Sequence, residues 1–235
     1  MERAFAGAAP AFEVIAPESG HVRGGLLALH GGAWVMVGAE TLPSMRNVAA
    51  RWAADGWVVL NADYRPGAGA VADATTAWRA LRDALHGSDL PRAAYGKSSG
   101  GHVALMVAST QHDVAAVVAE SAPTALHRLA ETEGAAFVHR SAVESFGASR
   151  AALDAMSPAS AEVAARLDAP ILLGVSAGDD VVPPAQTEAL RAARPDLVTA
   201  LQLETGDTDF IHAGVSANAW DSFVAAERAL RSSLV

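Results

Sequence analysis

The sequence predicts an α/β fold, in which one domain is built on a mostly parallel central sheet with helices on both faces. The chain has 235 residues, the size of one domain or of one domain with a modest insertion. Short, wholly apolar runs alternate along it with longer segments whose apolar residues recur at helical spacing. Runs that are apolar throughout are typical of strands covered on both faces, and strands separated by helices pair in parallel.

This alternation predicts six strands and five helices. Each apolar run is followed by glycine, proline or polar residues, which end a strand. The predicted strands are residues 24–29, 57–62, 92–95, 114–119, 170–175 and 198–203. The predicted helices are residues 41–54, 70–85, 102–110, 185–193 and 216–230. Residues 122–166 depart from the alternation, because they are Ala-rich and helical without a clear strand. We interpret them as a small lid-like insertion within a single domain, residues 1–235.

Composition excludes several classes of protein. A formal net charge of −9 argues against a protein that binds nucleic acid through its phosphates. A chain without cysteine has no disulfide, thiolate nucleophile or cysteine-based metal centre. It also lacks a histidine pair at metal spacing and a phosphate-binding glycine loop, so we predict no metal and no cofactor. The N-terminal residues lack a signal-peptide pattern, and no run reaches the ~18 apolar residues that span a bilayer. These features predict a cytoplasmic protein without a membrane partner.

Ser98 is the candidate nucleophile. The ligand site of an open α/β sheet lies at the carboxyl ends of its strands. There, residues 96–100 read Gly-Lys-Ser-Ser-Gly, a match to G-x-S-x-G, in which a sharp strand-to-helix turn projects the serine hydroxyl above the sheet. A second match at residues 174–178 is centred on Ser176. A helix starts directly after Ser98, whereas Pro183 and Pro184 delay the helix after Ser176. The pattern therefore favours Ser98.

Together with His-Gly-Gly at residues 30–32, this motif resembles the α/β-hydrolases, in particular their esterase group. The resemblance implies an α/β-hydrolase fold with a triad in the chain order serine, acid, histidine. Residues 176–183 read Ser-Ala-Gly-Asp-Asp-Val-Val-Pro and are similar to the acid turn of that fold, which places Asp179 as the acid and leaves Asp180 as its nearest competitor. His212 is the one histidine after Asp179, and it follows the last predicted strand, where the fold carries its base.

The resemblance also assigns roles to these residues. Ser98 attacks a carbonyl, His212 takes and returns its proton, and Asp179 orients the imidazole. The amide of Ser99 and those of Gly32 and Ala33 are the expected oxyanion-hole donors. Substrate contacts are expected at Gly31 and at Trp34, for which simple core packing is the alternative.

Other polar residues near the strand ends have structural interpretations. We expect His30 to position the loop of residues 30–34, called the oxyanion loop below because it carries the Gly32 and Ala33 amides. We expect His102 to pack at a helix start. Asp63 and Arg65 are expected to pair and fix a turn, with substrate contact as the alternative. Glu120 follows a strand and is a reserve candidate for the acid.

The leading functional hypothesis is a serine hydrolase that cleaves a small or medium carboxylic ester through an acyl-enzyme. The segment His-Gly-Gly-Ala-Trp also resembles aryl-formamidases and feruloyl-type esterases, so hydrolysis of a small amide, acyl transfer and ring closure stay open. A non-catalytic receptor on the same scaffold is the alternative from another class. The predicted partner is a small-molecule ester or amide, and the sequence leaves the oligomeric state undetermined.

Overall fold

A seven-stranded sheet organises the computed structural model, which describes residues 11–18, 20–85 and 88–235. The strands are β1 (Phe12–Ile15), β2 (Gly24–Leu29), β3 (Trp57–Ala62), β4 (Arg92–Lys97), β5 (Ala116–Glu120), β6 (Ile171–Ser176), β7 (Val198–Leu203) and, outside this sheet, β8 (Thr205–Thr208). Their order across the sheet is β1-β3-β2-β4-β5-β6-β7. Strands β2 to β7 pair in parallel and β1 pairs antiparallel with β3, so the predicted mostly parallel α/β fold is confirmed.

Helices cover both faces of this sheet. They are α1 (Arg46–Ala54), α2 (Gly69–Ala84), α3 (Ser99–Ala108), α4 (Ala136–Phe146), α5 (Arg150–Ala155), α6 (Ala161–Ala164), α7 (Pro184–Ala193) and α8 (Ala217–Ser232), with 3-10 helices at Ala39–Met45 and Leu126–Glu131. Apolar residues of α2, α3 and α7 form one core, and those of α1 and α8 form a second core on the opposite face. Strand burial on both faces is the reason that the strands read as uninterrupted apolar runs.

The structure differs from the sequence prediction at the sheet edge and at several element ends. Strands β1 and β8 were not predicted, because both are short and half-exposed and therefore lack a continuous apolar run. Helix α3 begins at Ser99 and not at His102, since the turn between β4 and α3 contains a single residue.

The segment between β5 and β6 is helical, as its composition predicts. It holds the 3-10 helix Leu126–Glu131 and helices α4, α5 and α6. Leu126, Leu129 and Val138 belong to the core on the α2 and α3 face, so the segment is packed onto the domain.

No helix within the described ranges is long and apolar enough to cross a membrane. Residues 1–10, which carry the expectation about a signal peptide, lie outside those ranges.

Candidate active site

Ser98 occupies the turn between β4 and α3 in a strained conformation, with φ 50° and ψ −122°. Close packing of backbone forces this turn. A Cβ on Gly96 would lie 2.2 Å from the carbonyl carbon of Gly100, and one on Gly100 would lie 2.3 Å from the carbonyl oxygen of Leu29. The Ser98 amide donates to Glu120 O at 2.8 Å, which ties the turn to the neighbouring strand. Both glycines of the motif are therefore required by this geometry, and a positive φ at a non-glycine residue is typical of a functional site.

Asp179 and His212 meet at the same edge of the sheet. Asp179 follows β6, and its buried carboxylate accepts a hydrogen bond at Oδ2 from His212 Nδ1 at 3.0 Å. Its other oxygen accepts from the amides of Val181 at 3.0 Å and Val182 at 2.8 Å, which fixes the carboxylate plane. His212 lies between β8 and α8 with φ 66°. The structure thus pairs the predicted acid with the predicted base and leaves His212 Nε2 for another partner.

Ser176, the centre of the second motif match, has a different environment. Its side chain is fully buried, and its hydroxyl donates to Gly214 O at 3.1 Å and accepts from the Gly178 amide at 3.3 Å. Gly178 precedes the acid and Gly214 follows the base by two positions. Ser176 therefore links the acid turn to the loop that carries His212.

The loop after β2 lies beside Ser98, since a Cβ on Gly31 would be 3.3 Å from Ser98 Cβ. Gly32, Ala33 and Trp34 have φ values of 130°, 50° and 60°, and the amides of Val35 and Met36 donate to Gly32 O. Within the described part of the chain, the amides of Gly32, Ala33 and Ser99 donate no hydrogen bond. Unsatisfied amides beside a strained serine are what an oxyanion hole requires.

This loop rests on a buried polar cluster. His30 Nε2 lies 3.0 Å from Asp63 Oδ1, which also accepts from the Gly38 amide at 3.1 Å. The ring of Tyr64 stacks on that of His30, and its hydroxyl donates to His30 O at 2.8 Å. Burial raises the pKa of Tyr64, which keeps it a hydrogen-bond donor. These contacts agree with a positioning role for His30.

The expected pairing of Asp63 with Arg65 is wrong. Arg65 instead pairs with Asp73 on helix α2, with 2.7 Å between Arg65 Nη2 and Asp73 Oδ1. The two side chains of the turn point to different neighbours, because Asp63 is buried against His30 while Arg65 remains half-exposed at the start of α2.

A cavity of about 740 Å³ opens over Ser98 and His212. Residues 31–33 of the loop after β2 line it, and the substrate contact expected at Gly31 stays a prediction. Lys97, Glu120 and residues 209–211 also line the cavity. Polar side chains from residues 40–47 and apolar side chains from α4 and α8 form part of its wall, namely Glu40, Thr41, Ser44 and Asn47 with Phe137, Val138 and Trp220. Sequence reasoning missed these residues, because their patterns are those of ordinary amphipathic helices and only the fold brings them to Ser98.

Glu120, the reserve candidate for the acid, has partners of its own. Tyr95 OH donates to its carboxyl, and Lys97 Nζ lies 3.8 Å away. Burial raises the pKa of Glu120, so its protonated form is favoured relative to an exposed glutamate. Because the hydrogen-bond partner of His212 is Asp179, Asp179 and not Glu120 stands in the position of the acid.

A family model named BD-FAE matches residues 17–193, which is most of the chain and includes both the oxyanion loop and the Ser98 turn. The chain belongs to the BD-FAE family. Members of this family are α/β-hydrolase-type esterases, so the resemblance noted from the sequence is confirmed at the level of family and fold. A comparison with curated protein sequences gives no match.

Solved structures share the fold of this BD-FAE family member. The esterase EstE5, from a crystal soaked in p-nitrophenyl butyrate, superposes with a TM-score of 0.73 at 22% identity, covering 95% of this chain and 81% of that one. Esterase B from Lactobacillus rhamnosis gives 0.73 at 16% identity, with coverages of 94% and 80%. A puromycin-hydrolyzing peptidase from Mycobacterium tuberculosis gives 0.75 at 21% identity, with coverages of 96% and 37%. At these identities, the likeness establishes the fold.

Trp34 does not line the cavity of the BD-FAE domain, which corrects its assignment as a substrate contact. Its side chain is fully buried, and its indole N–H donates to His102 Nδ1 at 3.1 Å. The ring packs edge-on against Phe146, with centroids 5.3 Å apart. Trp34 thus belongs to the hydrophobic core, as the packing alternative expects.

We expect His102 to make the folded BD-FAE domain sensitive to acid. Burial lowers the pKa of His102 to about 4, whereas the ring titrates near 6.5 in an unfolded chain. Between these pH values the unfolded state binds a proton that the folded state does not. This contribution to stability is therefore complete above pH 6.5 and is lost as the pH falls towards 4.

Urea unfolding at about pH 7 and about pH 4.5 measures this effect. The free energy of unfolding should fall by about 2 kcal/mol more for the wild type than for His102→Asn. Equal losses in the two proteins would contradict the assignment of the acid sensitivity to His102.

Proposed function

We propose that this protein is a serine hydrolase that cleaves small or medium carboxylic esters through an acyl-enzyme. One observation carries the proposal. At one cavity, a hydrogen-bonded Asp179–His212 pair accompanies a strained Ser98 and three backbone amides, of Gly32, Ala33 and Ser99, that have no acceptor among the described residues. Membership of the BD-FAE family supports ester hydrolysis as the chemistry.

In the first half-reaction, Ser98 Oγ attacks the ester carbonyl carbon while its proton passes to His212 Nε2. The carbonyl oxygen becomes an oxyanion, which the amides of Gly32, Ala33 and Ser99 stabilise. The tetrahedral intermediate then collapses. The bond to the alcohol oxygen breaks, and His212 returns its proton to the departing alcohol.

Water completes the reaction. His212 accepts a proton from a water molecule as that water attacks the acyl-Ser98 carbonyl. A second tetrahedral intermediate collapses to the carboxylic acid, and His212 returns the proton to Ser98 Oγ. The orientation of the Asp179 carboxylate is fixed throughout, because its Oδ1 accepts two amide hydrogen bonds and its Oδ2 faces His212. Its role is to hold the Nδ1–H tautomer and to stabilise the imidazolium.

The cavity favours substrates of modest size. Its volume of about 740 Å³ falls within the range of about 300–1,000 Å³ that is typical of small-molecule sites. We infer that the insertion of residues 122–166 forms a wall over this site, since Phe137 and Val138 of α4 line it. Polar side chains of residues 40–47 line one part of the wall, which does not favour a long alkyl chain there.

We expect kcat/KM on p-nitrophenyl esters to be highest for short acyl chains and to fall as the chain lengthens. A series from acetate to laurate, measured below the critical micelle concentration, tests this expectation. A preference for laurate would contradict the proposed substrate size while leaving the hydrolase chemistry intact.

Labelling by a fluorophosphonate probe tests the nucleophile itself. Peptide mapping should place the phosphonyl group on Ser98, because the reaction needs an activated hydroxyl beside an oxyanion hole. Ser176 is the matched internal control, since it has the same motif but its hydroxyl donates to Gly214 O and it is not among the residues that line the cavity. Labelling at Ser176 would overturn the assignment. A protein that binds esters but neither hydrolyses them nor reacts with the probe would favour the receptor alternative.

A further inference from the structure

His102 lies one helical turn after Ser98, and its ring joins three parts of the molecule. Its amide donates to Ser98 O at 3.1 Å, so its backbone belongs to the nucleophile turn. Its Nδ1 accepts the indole N–H of Trp34 from the oxyanion loop, at 3.1 Å. Its Nε2 donates to Met156 O at 2.7 Å, at the end of α5 in the 122–166 segment.

These two ring contacts define one protonation state. Nδ1 has to be unprotonated to accept from the indole, and Nε2 has to carry the proton to donate to a carbonyl. The neutral Nε2–H form satisfies both, and complete burial of the side chain favours a neutral ring. The imidazole ring thus links the oxyanion loop to the end of α5 through two hydrogen bonds.

The oxyanion loop needs such a restraint. Ala33 and Trp34 both have positive φ, a conformation that side chains disfavour and that persists only where surrounding contacts hold it. The Trp34 carbonyl accepts from the Gly67 amide at 2.8 Å, which holds the backbone from one side. The indole contacts with His102 and Phe146 hold the side chain from the other side.

We propose that His102 is a positioning residue for the oxyanion hole, which sets the Gly32 and Ala33 amides relative to Ser98 by accepting the Trp34 indole N–H. The proposal rests on the proposed hydrolase function. Ser98 directly precedes helix α3, and His102 lies in the first turn of that helix. The hydrogen bond between His102 and Trp34 therefore fixes the distance between Ser98 and the amides of Gly32 and Ala33. A small displacement of such donors lowers the rate of the chemical step and leaves substrate binding nearly unchanged.

Trp34→Phe removes the donor, and His102→Leu removes the acceptor. In each variant we expect kcat on p-nitrophenyl acetate to fall by about 10- to 100-fold, with KM within about twofold of the wild type. The double variant should lose no more than the larger single loss, since both changes break the same bond. His102→Asn offers its amide oxygen near the position of Nδ1, so it should recover most of the rate.

Trp57→Phe is the matched control for the tryptophan change. Trp57 is also fully buried, but its indole N–H has no partner among the described residues, and it begins β3, away from the carboxyl ends of the strands. The Trp57→Phe variant should have a lower free energy of unfolding than the wild type, because it loses packing contacts, but the same kcat.

Affinity for a trifluoromethyl ketone separates positioning from a purely structural role. The ketone forms a tetrahedral adduct with an oxyanion, so its affinity should fall by the same factor as kcat/KM in Trp34→Phe and His102→Leu. Variants with lower thermal stability but with unchanged kcat and ketone affinity would overturn the proposal. If His102→Leu does not fold, Trp34→Phe and His102→Asn carry the test.

The wild-type protein distinguishes the two proposals. If the wild type hydrolyses esters and is labelled at Ser98, but Trp34→Phe and His102→Leu keep its kcat and its ketone affinity, only the positioning role is overturned. A wild type that hydrolyses no ester and takes no label at Ser98 would overturn the hydrolase function and the positioning role together.

Discussion

Replacing Ser98 with alanine should lower kcat on p-nitrophenyl acetate by about five to six orders of magnitude. In the proposed mechanism, the alanine removes the hydroxyl that forms the acyl-enzyme, and the amides of the proposed oxyanion hole alone give a small residual rate. The turn should keep its backbone conformation, because serine and alanine both carry a Cβ and the substitution therefore adds no strain at the φ of 50°. Steady-state kinetics and circular dichroism measured on the same preparation test both statements.

Ser222→Ala is the control for this change. Ser222 lies exposed on α8, and its hydroxyl donates to the carbonyl of Asn218 in its own helix. Its rate should equal that of the wild type. A folded Ser98→Ala protein with more than about one-hundredth of the wild-type kcat would show that another group is the nucleophile.

The Asp179→Asn variant should lose about four orders of magnitude in kcat near neutral pH, with little change in KM. The amides of Val181 and Val182 donate to Oδ1 and cannot become acceptors, so the carbonyl oxygen of the asparagine takes that position. Its NH₂ group then faces His212 Nδ1 and stabilises the tautomer with the proton on Nε2. That tautomer cannot accept the Ser98 proton, which is the physical origin of the loss.

Asp180→Asn is the matched control and also decides between the two neighbouring acids. Asp180 is exposed, and the hydrogen-bond partner of His212 is Asp179. Its kcat should stay within about twofold of the wild type, the scale of a surface substitution away from the reacting groups. A larger loss in Asp180→Asn than in Asp179→Asn would reverse the assignment of the acid.

Strand and helix positions could be predicted from the sequence because the sheet is buried on both faces. That burial requires uninterrupted apolar runs such as those of β2 and β3, whose observed bounds equal the predicted ones. Edge strand β1 was beyond this reasoning. Its exposed Phe12 and Val14 belong to a strand with one face open, and a strand of four residues gives too short an alternation to recognise.

The sequence also brought the candidate triad within reach. Ser98, Asp179 and His212 each follow a strand, and the carboxyl ends of parallel strands share one edge of a sheet. The structure adds the Asp179–His212 hydrogen bond and places Ser98 and His212 on one cavity. Their catalytic roles stay predictions until the nucleophile is mapped.

By itself, the sequence determined which backbone segments form the six parallel strands and which residue types stand at their carboxyl ends, since periodicity and motif spacing are local properties of the chain. Only the tertiary structure decided where side chains with several possible neighbours point. Trp34 packs in the core and donates to His102, Asp63 pairs with His30 and not with Arg65, and Ser176 donates to Gly214 O in the loop that carries His212. Those choices depend on contacts between residues more than 30 positions apart in sequence, because a buried polar group takes whichever partner the fold brings within hydrogen-bond distance.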